Sequence, residues 1–367
     1  MKRYQGIGTM SGTSLDGLDI AVCDFQVEGD QYTFELKEVG QVPFGDLWKS
    51  RLLNLPEQSA ETYAKTHVYF GHWLGKTIRA FMDAKHVAPD FVSIHGQTIF
   101  HQPNKTFTAQ IGDGETAVSY LPCPLVSNFR NKDVALGGEG APLVPLGEKY
   151  LFPSHTLFLN LGGFSNIAYQ DKAFDISSCN GILNHIFVRA FPEADTEYDP
   201  GGQVAASGEL NADLLQKLDA IPFYQAAPPK SLGWEWVERE MLPVLQASNL
   251  PAEDLLHTLC VHSARQIAAA AKTVGAHGQT MFASGGGRHN HFFMACLEKE
   301  LAELNIRLDD SIPDLWIDYK EAIVFAFLGL RTLLGKPTIL DKATGARMAS
   351  VTGSIHLPPE GGFSFFS

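Results

Sequence analysis

Two stretches of this chain share one plan: an apolar strand, a turn of small residues, and a second apolar strand. The first is GTMSGTSLDGLDIAVCDF, residues 8–25, and the second is TLFLNLGGFSNIAY, residues 156–169. Apolar residues alternate along the arms as they do in half-buried strands. A hairpin repeated in this way predicts two related lobes facing each other across a cleft. The length of 367 residues agrees, because a single hydrophobic core stops growing at roughly 250 to 300 residues.

Helices alternate with these strands. AETYAKTHVYFGHWLGKTIRAFMDAKHV, residues 60–87, repeats apolar residues at three and four positions, and FVSIHG, residues 91–96, follows as a short strand. A third glycine turn lies in TMFASGGGRHNHFFMACLEKELAEL, residues 280–304, where a strand reaches Gly285, Gly286 and Gly287 and a helix follows. YKEAIVFAFLGLRTLLGKP, residues 319–337, reads as a helix ending near Gly335 and Pro337. The expected fold class is α/β. The expected organisation is an N-terminal lobe at 1–150, a C-terminal lobe at 151–345, and a tail at 346–367 that packs back on the first lobe.

The charge excludes some partners. With 28 Lys and Arg against 41 Asp and Glu, the net charge is −13, so there is no broad cationic field for nucleic acid. A phosphorylated ligand then depends on local amides, a metal ion or a few chosen basic side chains. Five scattered cysteines without a CxxC pair, and with no secretory signal ahead of them, indicate a reducing cytoplasm. The longest apolar runs, such as AIVFAFLGL at residues 322–330, are far shorter than the ~18 residues of a membrane span.

The opening turn has what a nucleotide cradle needs. Gly12 and Gly17 let amides approach phosphate oxygens, Thr13 and Ser14 offer hydroxyls, and Asp16 and Asp19 are candidate ligands for a hydrated Mg²⁺, with Leu15 and Leu18 between them. Gly162 and Gly163 are the counterpart in the second hairpin. Gly285 to Gly287, followed by a helix, would give adenosine and phosphates a flat platform and a helix N-terminus. Each glycine also has a plainer use in turn geometry or close packing. No GxxxxGK[ST] loop occurs, and GGGRHN does not fit GxGxxG. His67 with His72, and His289 with His291, lack zinc spacing, and neither HExxH nor GxSxG is present.

GTMSGTSLDGLD, HGQTIFHQP (95–103), QIGDGETA (110–117), NFRNKDVALGGEGAPLVP (128–145), LNLGGFSNI (159–167) and SGGGRHN (284–290) together resemble the anhydro-N-acetylmuramic acid kinases. The resemblance runs in consistent order over nearly the whole chain. It implies an actin-like ATPase fold of two related lobes and the use of ATP with Mg²⁺. The implied reaction is hydrolytic opening of 1,6-anhydro-N-acetylmuramic acid and its phosphorylation to N-acetylmuramic acid 6-phosphate in peptidoglycan recycling. Nucleic acid and membrane are not expected partners, and a homodimer is left open.

The same resemblance implies site roles. The family's catalytic base lies in a D-T-G-P-G-N stretch, which here reads Asp175, Ile176, Ser177, Ser178, Cys179 and Asn180. The acid and the asparagine are kept and the four residues between them differ. Asp175 is the expected base, with capping of the following helix as its alternative, and Cys179 reads as a small buried filler. Arg130 is expected to grip the substrate's lactyl carboxylate, against an ordinary surface ion pair. His95 and Thr98 follow a strand end where α/β sheets place ligand groups, although His95 could equally be a satisfied core histidine. Glu321 opens the late helix and resembles a glutamate of the family's sugar pocket, although by itself it could simply complement the helix dipole. Two alternatives remain open: an actin-like nucleotide-binding protein with lost or altered activity, for which the altered stretch speaks, and a plain kinase of another sugar.

Overall fold

Strand β1 (Lys2–Met10) turns back antiparallel into β2 (Gly17–Glu28), which pairs antiparallel with β3 (Gln31–Pro43). The computed structural model describes residues 1–12, 15–170, 172–228 and 230–360. Thr13 and Ser14, two expected phosphate donors, therefore lie outside the described residues, as do 361–367 of the expected tail. By contact the chain divides into two units, residues 1–153 with 319–367, and residues 154–318.

In unit 1, β1 also pairs in parallel with β4 (Phe91–Ile94), and β4 in parallel with β7 (Leu125–Ser127), after the separate hairpin of β5 (Gln97–Gln102) and β6 (Phe107–Ile111). Parallel neighbours need a crossover. Between β3 and β4 it is supplied by the helix Ala60–Lys85, started by Ser59 accepting from Thr62 N–H and stopped by His86 in a left-handed conformation (φ 54°). Phe70, Leu74, Ile78 and Met82 on one face of that helix join Ile7, Ile20, Val22, Val92 and Ile94 in the unit 1 core.

Unit 2 repeats the arrangement. The hairpin β8 (Leu157–Leu161) and β9 (Phe164–Tyr169) continues into β10 (Lys172–Ser178), and β11 (Thr280–Ser284) pairs in parallel with β8 and with β12 (Arg307–Leu308). The strand order is β10-β9-β8-β11-β12, against β3-β2-β1-β4-β7 in unit 1. The duplication expected from the paired hairpins thus extends to the whole sheet. Among the described residues no helix is long and apolar enough to cross a membrane.

One boundary differs from expectation. The helix Lys320–Leu333, assigned from sequence to the second lobe, belongs to unit 1. Every residue from Ala322 to Leu333 is buried, and a helix apolar all round must be surrounded rather than laid on a surface. It fits because β1 carries glycine where the helix crosses: a Cβ on Gly8 would lie 2.0 Å from the Ala322 carbonyl oxygen and 2.4 Å from the Ala326 nitrogen. Gly329 lets Ser93 approach from β4, and Ser93 Oγ donates to the Phe325 carbonyl at 2.6 Å. Beyond the helix the chain returns as β13 (Ser354–His356), antiparallel to β7.

Gly8→Ala places a methyl group against helix backbone that cannot rotate away. We expect a loss of about 1–3 kcal/mol or more in urea unfolding; an unchanged midpoint would contradict so close a crossing.

Candidate active site

Strands β1, β4 and β7 run parallel, so their carboxyl ends share one edge of the unit 1 sheet, and the chain leaves that edge at Met10, Ile94 and Ser127. Open α/β sheets bind ligands at this edge. The opening turn, His95 and the Asn128–Arg130 segment follow directly from these ends. The turn is tied to its neighbour by Ser11 Oγ donating to the Gly96 carbonyl (3.1 Å) and Gln97 Nε2 donating to that of Gly12 (3.2 Å). Asp16 is exposed and its Oδ1 accepts from Gly17 N–H at 3.0 Å. Asp19 is half-buried in β2, opposite Met10, and accepts from Gln41 Nε2 at 3.1 Å.

The two leucines of the turn are corrected as ligand contacts. Leu15, in a left-handed conformation (φ 56°), and Leu18 both point into the unit 1 core, so only their backbone is open to a ligand. Gly17 is needed for packing, since a Cβ there would lie 2.5 Å from the Val42 carbonyl oxygen.

His95 and Arg130 form one assembly. His95 is buried, its Nδ1–H donates to the Gly96 carbonyl (2.8 Å), and its Nε2 accepts from Arg130 Nε (3.0 Å). Burial, then the Arg130 charge, holds its pKa well below the usual 6.5, and the neutral ring is what this acceptor role requires. Both ring nitrogens of His95 are thus engaged within the protein, by the Gly96 carbonyl and by Arg130. Arg130 Nη1 donates to the Gly140 carbonyl at 2.7 Å, leaving the rest of the guanidinium fork. Its pKa is lowered to about 10, by burial first, with Glu321 and Asp133 opposing. The carboxyl of Glu321 is raised by burial and pulled back by Lys320 and Arg130. Thr98 is half-buried in β5, its hydroxyl accepting from Gln110 Nε2 at 3.3 Å.

Unit 2 gathers a second group at the carboxyl ends of β8, β10 and β11. The carbonyls of Gly162 and Gly163 accept from Asn180 N–H (3.1 Å) and Gly181 N–H (3.0 Å), and Gly163 also from Cys179 N–H (2.9 Å). Asn180 Nδ2 reaches back to the Leu161 carbonyl at 3.0 Å. Gly285 (φ 89°) and Gly287 are packing glycines: a Cβ on either would come within 2.8 Å of Asn160 or Leu161 atoms. Gly163 instead faces open space, and a Cβ on the exposed Gly286 would make only an ordinary contact with Asn180 Nδ2, at 3.6 Å.

Asp175 is half-buried in β10 and does not cap the helix Asn180–Ala190, whose N-cap is Cys179. Its Oδ2 accepts from Leu232 N–H at 2.9 Å and its own N–H donates to the Lys230 carbonyl at 3.0 Å. Burial raises its pKa, and the Leu232 bond partly offsets that. The altered residues Ile176, Ser177, Ser178 and Cys179 are all buried, and burial pushes the Cys179 thiol up to about 12, an inert filler. Sequence reasoning missed the 230–232 segment that holds Asp175; its signal was Pro228 shortly before Lys230-Ser231-Leu232-Gly233, a stiffened loop between helices. It also missed Asp133, whose fully buried carboxylate accepts from Gly140 N–H and Thr344 Oγ1, both at 2.7 Å, and so fixes the loop that anchors Arg130.

By comparison with known proteins, the chain is a sugar kinase. Over residues 3–358 it matches the profile described as anhydro-N-acetylmuramic acid kinase, and it belongs to that family. A relative from Coxiella burnetii (strain Dugway 5J108-111), named anhydro-N-acetylmuramic acid kinase, is 30% identical over 97% of this chain and 98% of its own length. One of the same name from Vibrio vulnificus (strain YJ016) is 32% identical over 94% and 96%. Among solved structures, component A of the Acidaminococcus fermentans (R)-2-hydroxyglutaryl-CoA dehydratase aligns with 89% of this chain and 98% of that chain, at 11% identity and a TM-score of 0.43.

His95 takes up a proton near pH 6.5 when unfolded and resists it when folded. Its contribution to stability is therefore present above that pH and lost as the pH falls below it; His67, His101 and His185 shift the same way through burial. Urea midpoints should fall between about pH 7.5 and 5, and His95→Gln should flatten part of that slope. An unaltered slope would mean that His95 is already charged in the folded protein.

Proposed function

We propose that this chain uses ATP and water to open 1,6-anhydro-N-acetylmuramic acid and phosphorylate its O6, giving N-acetylmuramic acid 6-phosphate and ADP during cell-wall recycling. The observation that carries the reading is the state of Asp175. One carboxylate oxygen is fixed by Leu232 N–H, and the pKa is raised by burial. Such a carboxylate is oriented, and it accepts a proton more readily than an exposed one. In the reaction it takes the proton of the water that attacks the anomeric carbon, as the bond from that carbon to O6 breaks and O6 attacks the γ-phosphorus of ATP.

Unit 1 supplies the sugar contacts. The free part of the Arg130 fork suits the lactyl carboxylate, Glu321 accepts from a sugar hydroxyl or amide, and Thr98 offers a hydroxyl. For the nucleotide, the exposed backbone at Gly163 and Gly286 supplies amides within unit 2. Mg²⁺ neutralises phosphate charge when bound, and Asp16 and Asp19 are the residues to hold it. The fit is to an ion carried by ATP, since Mg²⁺ is usually bound by one or two carboxylates with phosphate oxygens and no cluster of three or more His, Cys, Asp or Glu occurs among the described residues. All five cysteines are free, which supports a reducing cytoplasmic setting.

Incubation with ATP, Mg²⁺ and the anhydro-sugar in ¹⁸O-water should place label on the anomeric hydroxyl of a 6-phosphorylated product. ATP binding without product would favour the nucleotide-binding protein of altered activity, and turnover of a plain hexosamine alone would favour a simple sugar kinase. Asp175→Asn should lower kcat by about 10² to 10⁴. The acid limb of kcat should lie above the ordinary carboxylate range near 4, because the base works only when ionised and its pKa is raised; a limb at or below that value would remove Asp175 from the role.

A further inference from the structure

The path of β10 beside Asp175 is irregular. Against β9, Asp175 pairs with Asn166 and Ser177 with Ser165, so Ile176 is an extra residue and the strand bulges there. A bulge re-aims the side chains next to it and has to be held in place. Several bonds hold this one. Ser165 Oγ donates to the Ser177 carbonyl at 3.2 Å, Ser263 Oγ donates to the Ser178 carbonyl at 3.2 Å, and Ser177 Oγ donates to the Ser178 carbonyl at 2.9 Å. The fourth comes from outside the sheet and its neighbouring helix: Ser177 Oγ meets the Tyr224 hydroxyl at 3.2 Å.

Tyr224 belongs to the short helix Pro222–Gln225, which touches both flanks of Asp175. On one flank is the contact to Ser177. On the other, Lys230 Nζ donates to the Phe223 carbonyl at 3.0 Å and lies 4.5 Å from the centre of the Phe223 ring, while the Lys230 carbonyl accepts from Asp175 N–H. The Tyr224 ring is itself fixed from beneath. It meets His262 edge-on at 4.8 Å, and His262 Nδ1 is hydrogen-bonded to Asp219 Oδ1 at 2.9 Å, an oxygen that also accepts from Gln266 Nε2 at 2.8 Å.

We propose that Tyr224 is a positioning residue for Asp175: its hydroxyl, through Ser177 Oγ, fixes the β10 bulge and with it the aim of the carboxylate. The proposal rests on the reading of Asp175 as the base and adds how this chain holds that base with Ile176 to Cys179 in the strand. The hydroxyl bonds to Ser177 Oγ, lies against Met241 Sδ and meets none of the proposed binding groups, so its loss acts on the chemical step rather than on binding.

Tyr224→Phe removes one oxygen and keeps the ring against His262. It should lower kcat about tenfold, in line with the large rate losses that follow small misplacements of a catalytic group. KM for ATP and for the anhydro-sugar should stay within about twofold, since binding groups are untouched. Ser177→Ala, which also removes the bond to the Ser178 carbonyl, should lose at least as much, and the double variant should lose no more than Ser177→Ala alone, because Tyr224→Phe then has no link left to break. Unchanged kcat in Tyr224→Phe, or fully additive losses in the double variant, would overturn the proposal. Asp175→Asn measured in parallel separates the two ideas: if it abolishes turnover while Tyr224→Phe is silent, only the positioning role falls, and if Asp175→Asn is itself silent, both fall.

Discussion

The crossing of the helix Lys320–Leu333 over the glycine of β1 is the contact on which unit 1 depends. Gly8 lets helix backbone approach strand backbone, and no larger residue could occupy the same place. That closeness also builds the site. Glu321 is carried on the first turn of the helix, and Phe325, one turn on, packs its ring against His95 (4.8 Å) and Phe129 (5.6 Å). The histidine that supports Arg130 and the residue preceding Arg130 thus rest on the helix that carries Glu321, so sheet packing and the geometry of the candidate sugar contacts are one construction.

Burying such a helix brings polar groups inside, and each is answered. Lys320 pairs with Glu148 at 2.6 Å with both side chains nearly fully buried. Arg331 donates through Nε to the Pro337 carbonyl at 2.6 Å and lies 4.4 Å from the centre of the Tyr150 ring. A buried pair of this kind adds little net stability, while removal of one partner would strand a charge in the core. The Lys320 ammonium also pulls the pKa of the neighbouring Glu321 down, against the larger upward push of burial. In unit 2 the departure from the family's D-T-G-P-G-N pattern is absorbed differently: Ile176 and Cys179 fill the core, Ser177 Oγ bonds to the Ser178 carbonyl and to Tyr224, and Asp175 keeps an outside grip through the 230–232 segment.

Much of this was legible in the sequence. The two hairpins announced the duplication, because alternation and small-residue turns are local properties, and His95, Gly162 and Gly285 do follow strand ends as the sequence suggested. The roles of individual residues were less legible. Leu15 and Leu18 look like part of a polar turn but fill the core, and His95 looks like a ligand group but has both nitrogens engaged. Segment 230–232 drew no attention because what it gives Asp175 is backbone N–H and C=O rather than the side chains of Lys230 or Ser231.

The sequence by itself determined the α/β class, the repeated hairpin that opens each unit, and membership of a kinase family, all of which rest on periodicity and motif. Only the tertiary structure decided that residues 319–345 belong to the first unit, that Arg130 leans on His95 and Gly140, and that Asp175 sits beside a bulge and is bonded to a distant loop. The physical reason is range: hydrophobic periodicity and turn chemistry act between residues a few positions apart. Close backbone approach and hydrogen bonds between remote segments exist only once the chain has closed on itself.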